Sequence, residues 1–139
     1  MKALIVEDNS ISASIMFHLV KEFFQCDIAS DGEEGLQKYL KAQDSSNPYQ
    51  YIFLDIMMPH KDGQDLLNDI RDYEKKNGVA KCKIFMITAL SDFDTVVKSF
   101  ENKCDDYITK PIDKEKLFTV LERNGFNFSV NQDRVSGRL

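Results

Sequence analysis

The sequence predicts an α/β fold, a doubly wound, five-stranded parallel sheet with helices on both faces. Three observations predict it. Five apolar runs of strand length alternate with five segments of helical period. Runs such as Ala3-Leu4-Ile5-Val6 and Ile84-Phe85-Met86-Ile87 are continuous rather than alternating, as suits strands covered on both faces. Nearly every run stops at a polar residue, among them Glu7, Asp55, Thr88 and Lys110.

Each element has its own warrant. The first run ends in Glu7-Asp8-Asn9-Ser10, where Asn9 or Ser10 can cap a helix. Ile11, Ile15, Leu19, Val20 and Phe23 then stripe that helix, and the stripe predicts its buried face. Cys26-Asp27-Ile28-Ala29 reads as a weak second strand, Asp31-Gly32 as a turn, and Leu36, Tyr39 and Leu40 as a second helix. The polar stretch Gln43 to Pro48 is a loop. Tyr51-Ile52-Phe53-Leu54 is a strand ending at Asp55. Leu66, Leu67, Ile70 and Tyr73 mark a third helix that closes near Asn77-Gly78, with Lys75-Lys76 at the end where cations suit its dipole. The fourth strand ends at Thr88, and Phe93, Val96, Val97 and Phe100 stripe the helix after it. Tyr107-Ile108-Thr109 is a short fifth strand ending at Lys110-Pro111, and Leu117, Val120 and Leu121 mark the last helix. The polar residues 124–139 lack a sustained period and read as a flexible tail on a domain spanning 1–123.

The totals restrict function. A chain of 139 residues is about one domain and buries a core without staples. A net charge of −5, with no lysine–arginine cluster, argues against a nucleic-acid partner, because phosphate backbones select a basic face. No apolar stretch reaches the length of a membrane span, and the N-terminal run is too short for a signal peptide. Cys26, Cys82 and Cys104 are odd in number and lack metal-site spacing, so they read as free, mostly buried thiols of a reducing cytoplasm. His18 and His60 have no ligand spacing either. His18 reads as a helix-surface residue and His60 as a solvated loop residue.

Chemistry concentrates where the strands stop. In a parallel sheet Glu7, Asp8, Asp55, Thr88 and Lys110 all come to one edge, the edge where open α/β sheets bind ligands. Any one of these acids alone would read as a helix cap. Together they form a cluster of like charge that calls for a hard divalent cation, and Mg²⁺ takes oxygen ligands of this kind. Lys110 adds a mobile cation and Thr88 a hydroxyl donor. Such a cradle positions and neutralises a transferring phosphoryl group. Asp55 is then the nucleophile, because a carboxylate can form an acyl phosphate.

The chain resembles the receiver domains of two-component response regulators. The matching pieces are Leu4-Ile5-Val6-Glu7-Asp8-Asn9, Leu54-Asp55-Ile56-Met57-Met58-Pro59, Asp62-Gly63, Ile87-Thr88-Ala89 and Asp106-Tyr107-Ile108-Thr109-Lys110-Pro111. They occur in the family's order and spacing over roughly Lys2 to Arg123. The resemblance implies a flavodoxin-like sheet of strand order 2-1-3-4-5. It implies that Asp55 accepts a phosphoryl group from a sensor histidine kinase or a histidine phosphotransfer protein, and that the domain then switches its contacts with a downstream protein target. It implies Mg²⁺ held by the carboxylates of Asp8 and Asp55 and the backbone carbonyl of Met57, with Glu7 acting through water. Thr88 and Lys110 would bond the phosphoryl group, Tyr107 would turn inward as Thr88 moves, and the Lys110–Pro111 bond would be cis. Such a domain is a phosphoacceptor that assists its own phosphorylation and slow dephosphorylation, not a turnover enzyme.

The chain departs from the family at variable places. Met57 and Leu90 are apolar where many members carry polar groups that align a water, which implies slow loss of the acyl phosphate. Asn102-Lys103-Cys104 stands where a small residue and glycine are usual. Alternative readings are distinguishable. A Mg²⁺-dependent phosphatase of the haloacid dehalogenase type needs a second Asp at the position of Met57. A flavin or nucleotide module needs a glycine-rich loop after the first strand, and here that loop is acidic. A degenerate receiver acting only by binding is disfavoured by the intact key positions. A relay intermediate or phosphate sink stays open beside a free-standing regulator.

Overall fold

A computed structural model of the chain describes residues 1–56, 63–100 and 103–128. Five strands form one parallel sheet: β1 (Lys2–Val6), β2 (Gln25–Ala29), β3 (Tyr51–Asp55), β4 (Lys83–Ala89) and β5 (Asp106–Lys110). Their order is β2-β1-β3-β4-β5, as expected. The helices are α1 (Ser10–Val20), α2 (Gly32–Gln43), α3 (Gly63–Asn77), α4 (Phe93–Phe100) and α5 (Lys114–Arg123), with a 3-10 turn at Leu90–Asp92 before α4. Among the described residues no helix is long and apolar enough to cross a membrane.

Successive strand residues face opposite sides, which sorts the core into two layers. Leu4, Val6, Ile52, Leu54, Ile84 and Met86 face a layer completed by α2, α3 and Val96 of α4. Ala3, Ile5, Phe53, Phe85 and Ile87 face the other layer, completed by Met16 and Val20 of α1 and Leu117, Val120 and Leu121 of α5. A strand order that reverses direction beside β1 puts helices on both faces and produces this division.

Local chemistry sets the helix ends. Asn9 caps α1 by accepting from the Ser12 N–H at 2.9 Å. Asp31 is itself the cap of α2, accepting from the Glu34 N–H at 2.8 Å, so Asp31-Gly32 opens the helix instead of forming a separate turn. Gly78, at φ 61°, follows the last residue of α3.

Two expectations need correction. The buried face of α1 is Ala13, Met16 and Val20, whereas Ile11 is 72% exposed and Ile15 47%. Residues 11, 13, 15, 16, 17, 19 and 20 are all apolar, so period alone does not choose the face. The packed domain also runs past Arg123. Gly125 takes φ 94°, and the Phe126 N–H reaches back to the Leu121 carbonyl at 3.0 Å, closing α5 and turning the chain inward. Phe126 is buried against Phe24, Phe23 and Tyr51, with centroids at 5.1, 5.9 and 6.1 Å. Phe128 packs 4.5 Å from Phe118 and 4.9 Å from Phe23. Of the expected tail, residues 129–139 lie outside the described residues.

Replacing Phe126 by Ala empties part of this aromatic layer and is expected to cost about 3 kcal/mol in urea unfolding. Ile11→Ser, on the exposed face of α1, is expected to stay within ~0.5 kcal/mol of the parent. A tail that contributed no packing would make the two variants equal.

Candidate functional site

The sheet register brings the polar strand ends level. Val6 pairs with Leu54, which sets Glu7 beside Asp55. Asp55 pairs with Ile87, which leaves Thr88 one step beyond, and Ala89 pairs with Lys110. Glu7, Asp55 and Thr88 are buried, and Asp8 is exposed at the rim.

One oxygen from each of Glu7, Asp8 and Asp55 lies within 4.8 Å of the other two. The Lys110 ammonium stands 3.1 Å from Asp55 Oδ2, with hydrogen-bond geometry, and 3.5 Å from Glu7 Oε1. The Asn9 N–H donates to Glu7 Oε2 at 3.3 Å, so the residue that caps α1 also steadies this carboxyl. Burial, the hydrogen bond to Asp55 and the Asp55 charge together push Glu7 up to about 8. Desolvation pulls the Lys110 ammonium down, but its bond to Asp55 and the attraction of Asp55 and Glu7 outweigh that and raise it.

Like charge thus dominates among the described residues of the group. Among the described residues Lys110 meets two of the three carboxyl groups, Glu7 and Asp55, and the cluster relieves part of the conflict by holding a proton on Glu7. The donors are hard oxygens, with neither sulfur nor imidazole among them. Such a set fits Mg²⁺ and does not select a softer metal.

The neighbouring strands complete the edge. Thr88 Oγ1 donates to the Ala89 carbonyl at 3.3 Å. Tyr107 on β5 is half-buried, donates its hydroxyl to the Val97 carbonyl at 3.3 Å, and meets the Phe93 ring edge-on at 6.0 Å. The Lys110–Pro111 bond is cis. Gly63 opens α3 hard against the end of β3. Its N–H donates to the Ile56 carbonyl at 2.8 Å, and a Cβ there would fall 2.5 Å from the Asp55 carbonyl oxygen. The backbone of α3 can approach this closely only without a side chain.

Glu7, Asp8, Asp55 and Lys110 thus meet, with Thr88 and Tyr107 on the adjoining strands. Met57 and His60 lie outside the described residues, as does the side chain of Leu90. His18 is exposed on α1, Cys82 is buried, and Cys26 and Cys104 are half-buried; none of the three is joined in a disulfide. Burial, reinforced by the Asp27 charge, raises Cys26 to about 12, so this thiol is not activated.

A family model for the response regulator receiver domain matches residues 3–122. The chain belongs to that family. Among curated relatives, the regulatory protein VanRB of Enterococcus faecalis is 32% identical over 120 residues, covering 86% of this chain and 48% of that protein. Hybrid signal transduction histidine kinase L of Dictyostelium discoideum is 33% identical over 128 residues, 91% of this chain and 7% of that one. This receiver thus spans about half or less of the length of these relatives. A chain from the co-crystal structure of the Saccharomyces cerevisiae phosphotransfer protein Ypd1 with the receiver domain of Ssk1 superposes with a TM-score of 0.76. It is 27% identical, and the match covers 88% of this chain and 87% of that chain. The Vibrio cholerae chemotaxis protein CheY4 shares the fold at a TM-score of 0.68 and 23% identity, covering 88% of this chain and 96% of that chain.

The raised Glu7 value fixes the sign of a pH effect. A carboxyl that titrates near 8 when folded and near 4.5 when unfolded stabilises the fold fully below 4.5. That contribution is lost as pH rises toward 8. The metal-free receiver is therefore expected to melt at progressively lower temperature from pH 5 to pH 8. Glu7→Gln should flatten the profile, and Mg²⁺ at a hundred times its Kd should restore about 2.7 kcal/mol. Thermal scans in chelator and in Mg²⁺ measure all three.

Proposed function

We propose that this receiver takes a phosphoryl group onto Asp55 from a phosphohistidine-bearing partner, in a reaction that requires Mg²⁺. The observation that carries the reading is the buried Asp55 carboxylate, bonded to Lys110 within the acidic cluster at the sheet edge.

An Asp55 oxygen forms the bond to phosphorus while the bond from phosphorus to the donor's imidazole nitrogen breaks. The leaving nitrogen keeps the electron pair. Lys110 exchanges its carboxylate partner for a phosphoryl oxygen, at a distance its present contact already sets. Thr88, one residue beyond the Asp55 pairing level on β4, donates its hydroxyl to another phosphoryl oxygen. The Asp8 and Asp55 carboxylates and the Met57 backbone carbonyl are assigned to the metal, with Glu7 acting through water. Mg²⁺, when bound, neutralises the phosphoryl oxygens and the carboxylates that face them. Asp55 itself is modified, so the domain is an acceptor and not a turnover catalyst. Movement of Thr88 releases Tyr107 from its present contacts with α4 and alters the face seen by a downstream protein.

The exposed face of α1 supports a protein donor. Ile11 and Ile15 stand one turn apart, and Ile15 shares a cleft with Glu7, Ser12, Lys110, Pro111 and Ile112. That places an apolar rim beside the acceptor, where a partner helix can seat its own apolar face. The Ypd1 complex named above joins a receiver to a phosphotransfer protein and supports a partner of this class. Three cysteines outside disulfides suit a reducing compartment such as the cytoplasm.

Asp55→Asn is expected to abolish labelling by acetyl phosphate in intact-mass spectra, with the melting curve still cooperative. Full labelling of that variant would move the acceptor elsewhere. Ile15→Asp is expected to keep acetyl phosphate labelling within about twofold, while transfer from a phosphorylated histidine protein slows tenfold or more, about 1.4 kcal/mol. Equal slowing with both donors would remove α1 from partner docking.

A further inference from the structure

The sheet has a second edge, where its strands begin, and a cleft of about 590 Å³ opens there. Tyr51 is the first residue of β3 and Lys83 the first of β4, so the cleft lies a full strand away from Asp55 and Thr88. At about 3.3 Å per residue, Tyr51 to Asp55 is roughly 13 Å. The end of α2 and the loop after it contribute Gln43, Pro48 and Tyr49, and the connection from α3 to β4 contributes Val79, Ala80 and Cys82. The cleft has the size of a small-molecule site, and its wall is mainly apolar.

That wall is fixed by packing. Tyr51 is buried and meets Phe24 at 4.9 Å and Phe85 at 6.0 Å between ring centroids. Tyr49 is buried, donates its hydroxyl to Asp27 at 2.6 Å, and carries the Lys2 ammonium over its ring at 4.7 Å. The Cys82 N–H donates to Glu74 at 2.7 Å, and its carbonyl accepts from Arg71 at 2.8 Å. A preformed wall spares a ligand part of the cost of ordering its site.

Charge selects the occupant. Among the described residues lining the cleft there is no aspartate or glutamate. Lys81 and Lys83 line it, and neither has an ion pair among the described residues. Four other clefts each include a carboxyl group, from Glu22, Asp113, Glu7 and Asp27. The acids bonded to the wall are matched, Glu74 by Arg71 at 2.8 Å and Asp27 by Lys2 at 3.9 Å. The ends of α2 and α3 carry partial negative charge, which Lys41 and the pair Lys75 and Lys76 in their last turns offset. An apolar wall with a cationic rim is left, in a chain of net charge −5.

We propose that this cleft binds a small amphipathic carboxylate, its apolar body against Tyr49, Tyr51 and Val79 and its carboxylate met by Lys81 and Lys83. The two ammonium groups are compact charges on flexible stems, so they can close on a carboxylate at the rim without a fixed fork. Binding is reversible and forms no covalent bond. The site is separate from the acidic cluster and does not depend on phosphoryl uptake at Asp55.

The test uses the full chain with phenylbutyrate as the probe, and with phenylbutanol and acetate as probes lacking the charge and the body. Up to about 10 mM, phenylbutyrate is expected to give saturable amide shifts at Gln50, Tyr51 and Val79 to Lys83. Phenylbutanol is expected to bind at least tenfold more weakly, and acetate to give no saturable shift over that range. In the double variant Lys81→Gln, Lys83→Gln, phenylbutyrate is expected to fall to the affinity of the alcohol, while the alcohol stays within about twofold of its parent value. Asp55→Asn is expected to bind phenylbutyrate as the parent does. No saturable shift at these amides, equal affinity for acid and alcohol, or unchanged affinity in the double variant would overturn the proposal. So would loss of binding in Asp55→Asn, which would move the ligand to the acidic edge. Shifts at the same amides that grow with protein concentration alone would seat a second copy of the chain there and overturn it as well.

Discussion

The mutual repulsion of three carboxyl groups at one edge of the sheet is the constraint around which the receiver is arranged. Two carboxylate charges within 4.8 Å of each other repel by roughly 3 kcal/mol or more at the effective dielectric of a partly buried site. Left alone, such a group would open toward water. It stays closed because each carboxyl hangs from a strand or strand end whose neighbours are locked in register and whose two faces are sealed by apolar layers. Lys110 offsets part of the repulsion, and a proton on Glu7 offsets more. Among the described residues these two groups carry the compensation, and the hard oxygens they leave suit a further cation.

The fold was legible because burial on both faces of the sheet leaves little freedom in composition. Continuous apolar runs at β1, β3 and β4 can satisfy their environment in few other ways, and five of them alternating with helical stripes restrict the topology to a doubly wound sheet. The candidate site was legible for a related reason. Charged residues directly after apolar strands must emerge at one edge, so order along the chain becomes proximity in space. The contact of Lys110 with both Asp55 and Glu7 follows from that geometry.

Other features were hidden where pattern underdetermines environment. Helix α1 is apolar nearly all round, so the face bearing Ile11 and Ile15 read as core although it lies open beside Glu7 and Lys110. Phe126 and Phe128 follow a glycine turn in a polar context, and two aromatic residues carry no periodicity to read. Glu74 did leave a trace. It falls four residues after Ile70 on the buried stripe of α3, a position that a charged residue occupies only with partners. Those partners, the Arg71 guanidinium and the Cys82 N–H, come from elsewhere in the chain and from the same helix, and only the folded geometry pairs them.

The division of the core into two layers has a consequence for how such a domain diversifies. The face bearing Ile11 and Ile15 belongs to the helix α1, which packs with α5 in one layer, while Val96 of α4 and the buried residues of α3 belong to the opposite layer, across the sheet. Substitutions separated in this way share few neighbours, and their effects tend to add. On the proposed reading, the choice of donor at α1 and the response of the opposite layer can therefore drift on separate tracks. The strand ends between them, where Asp55 and Lys110 meet, are the common terminus that neither lineage of change can abandon.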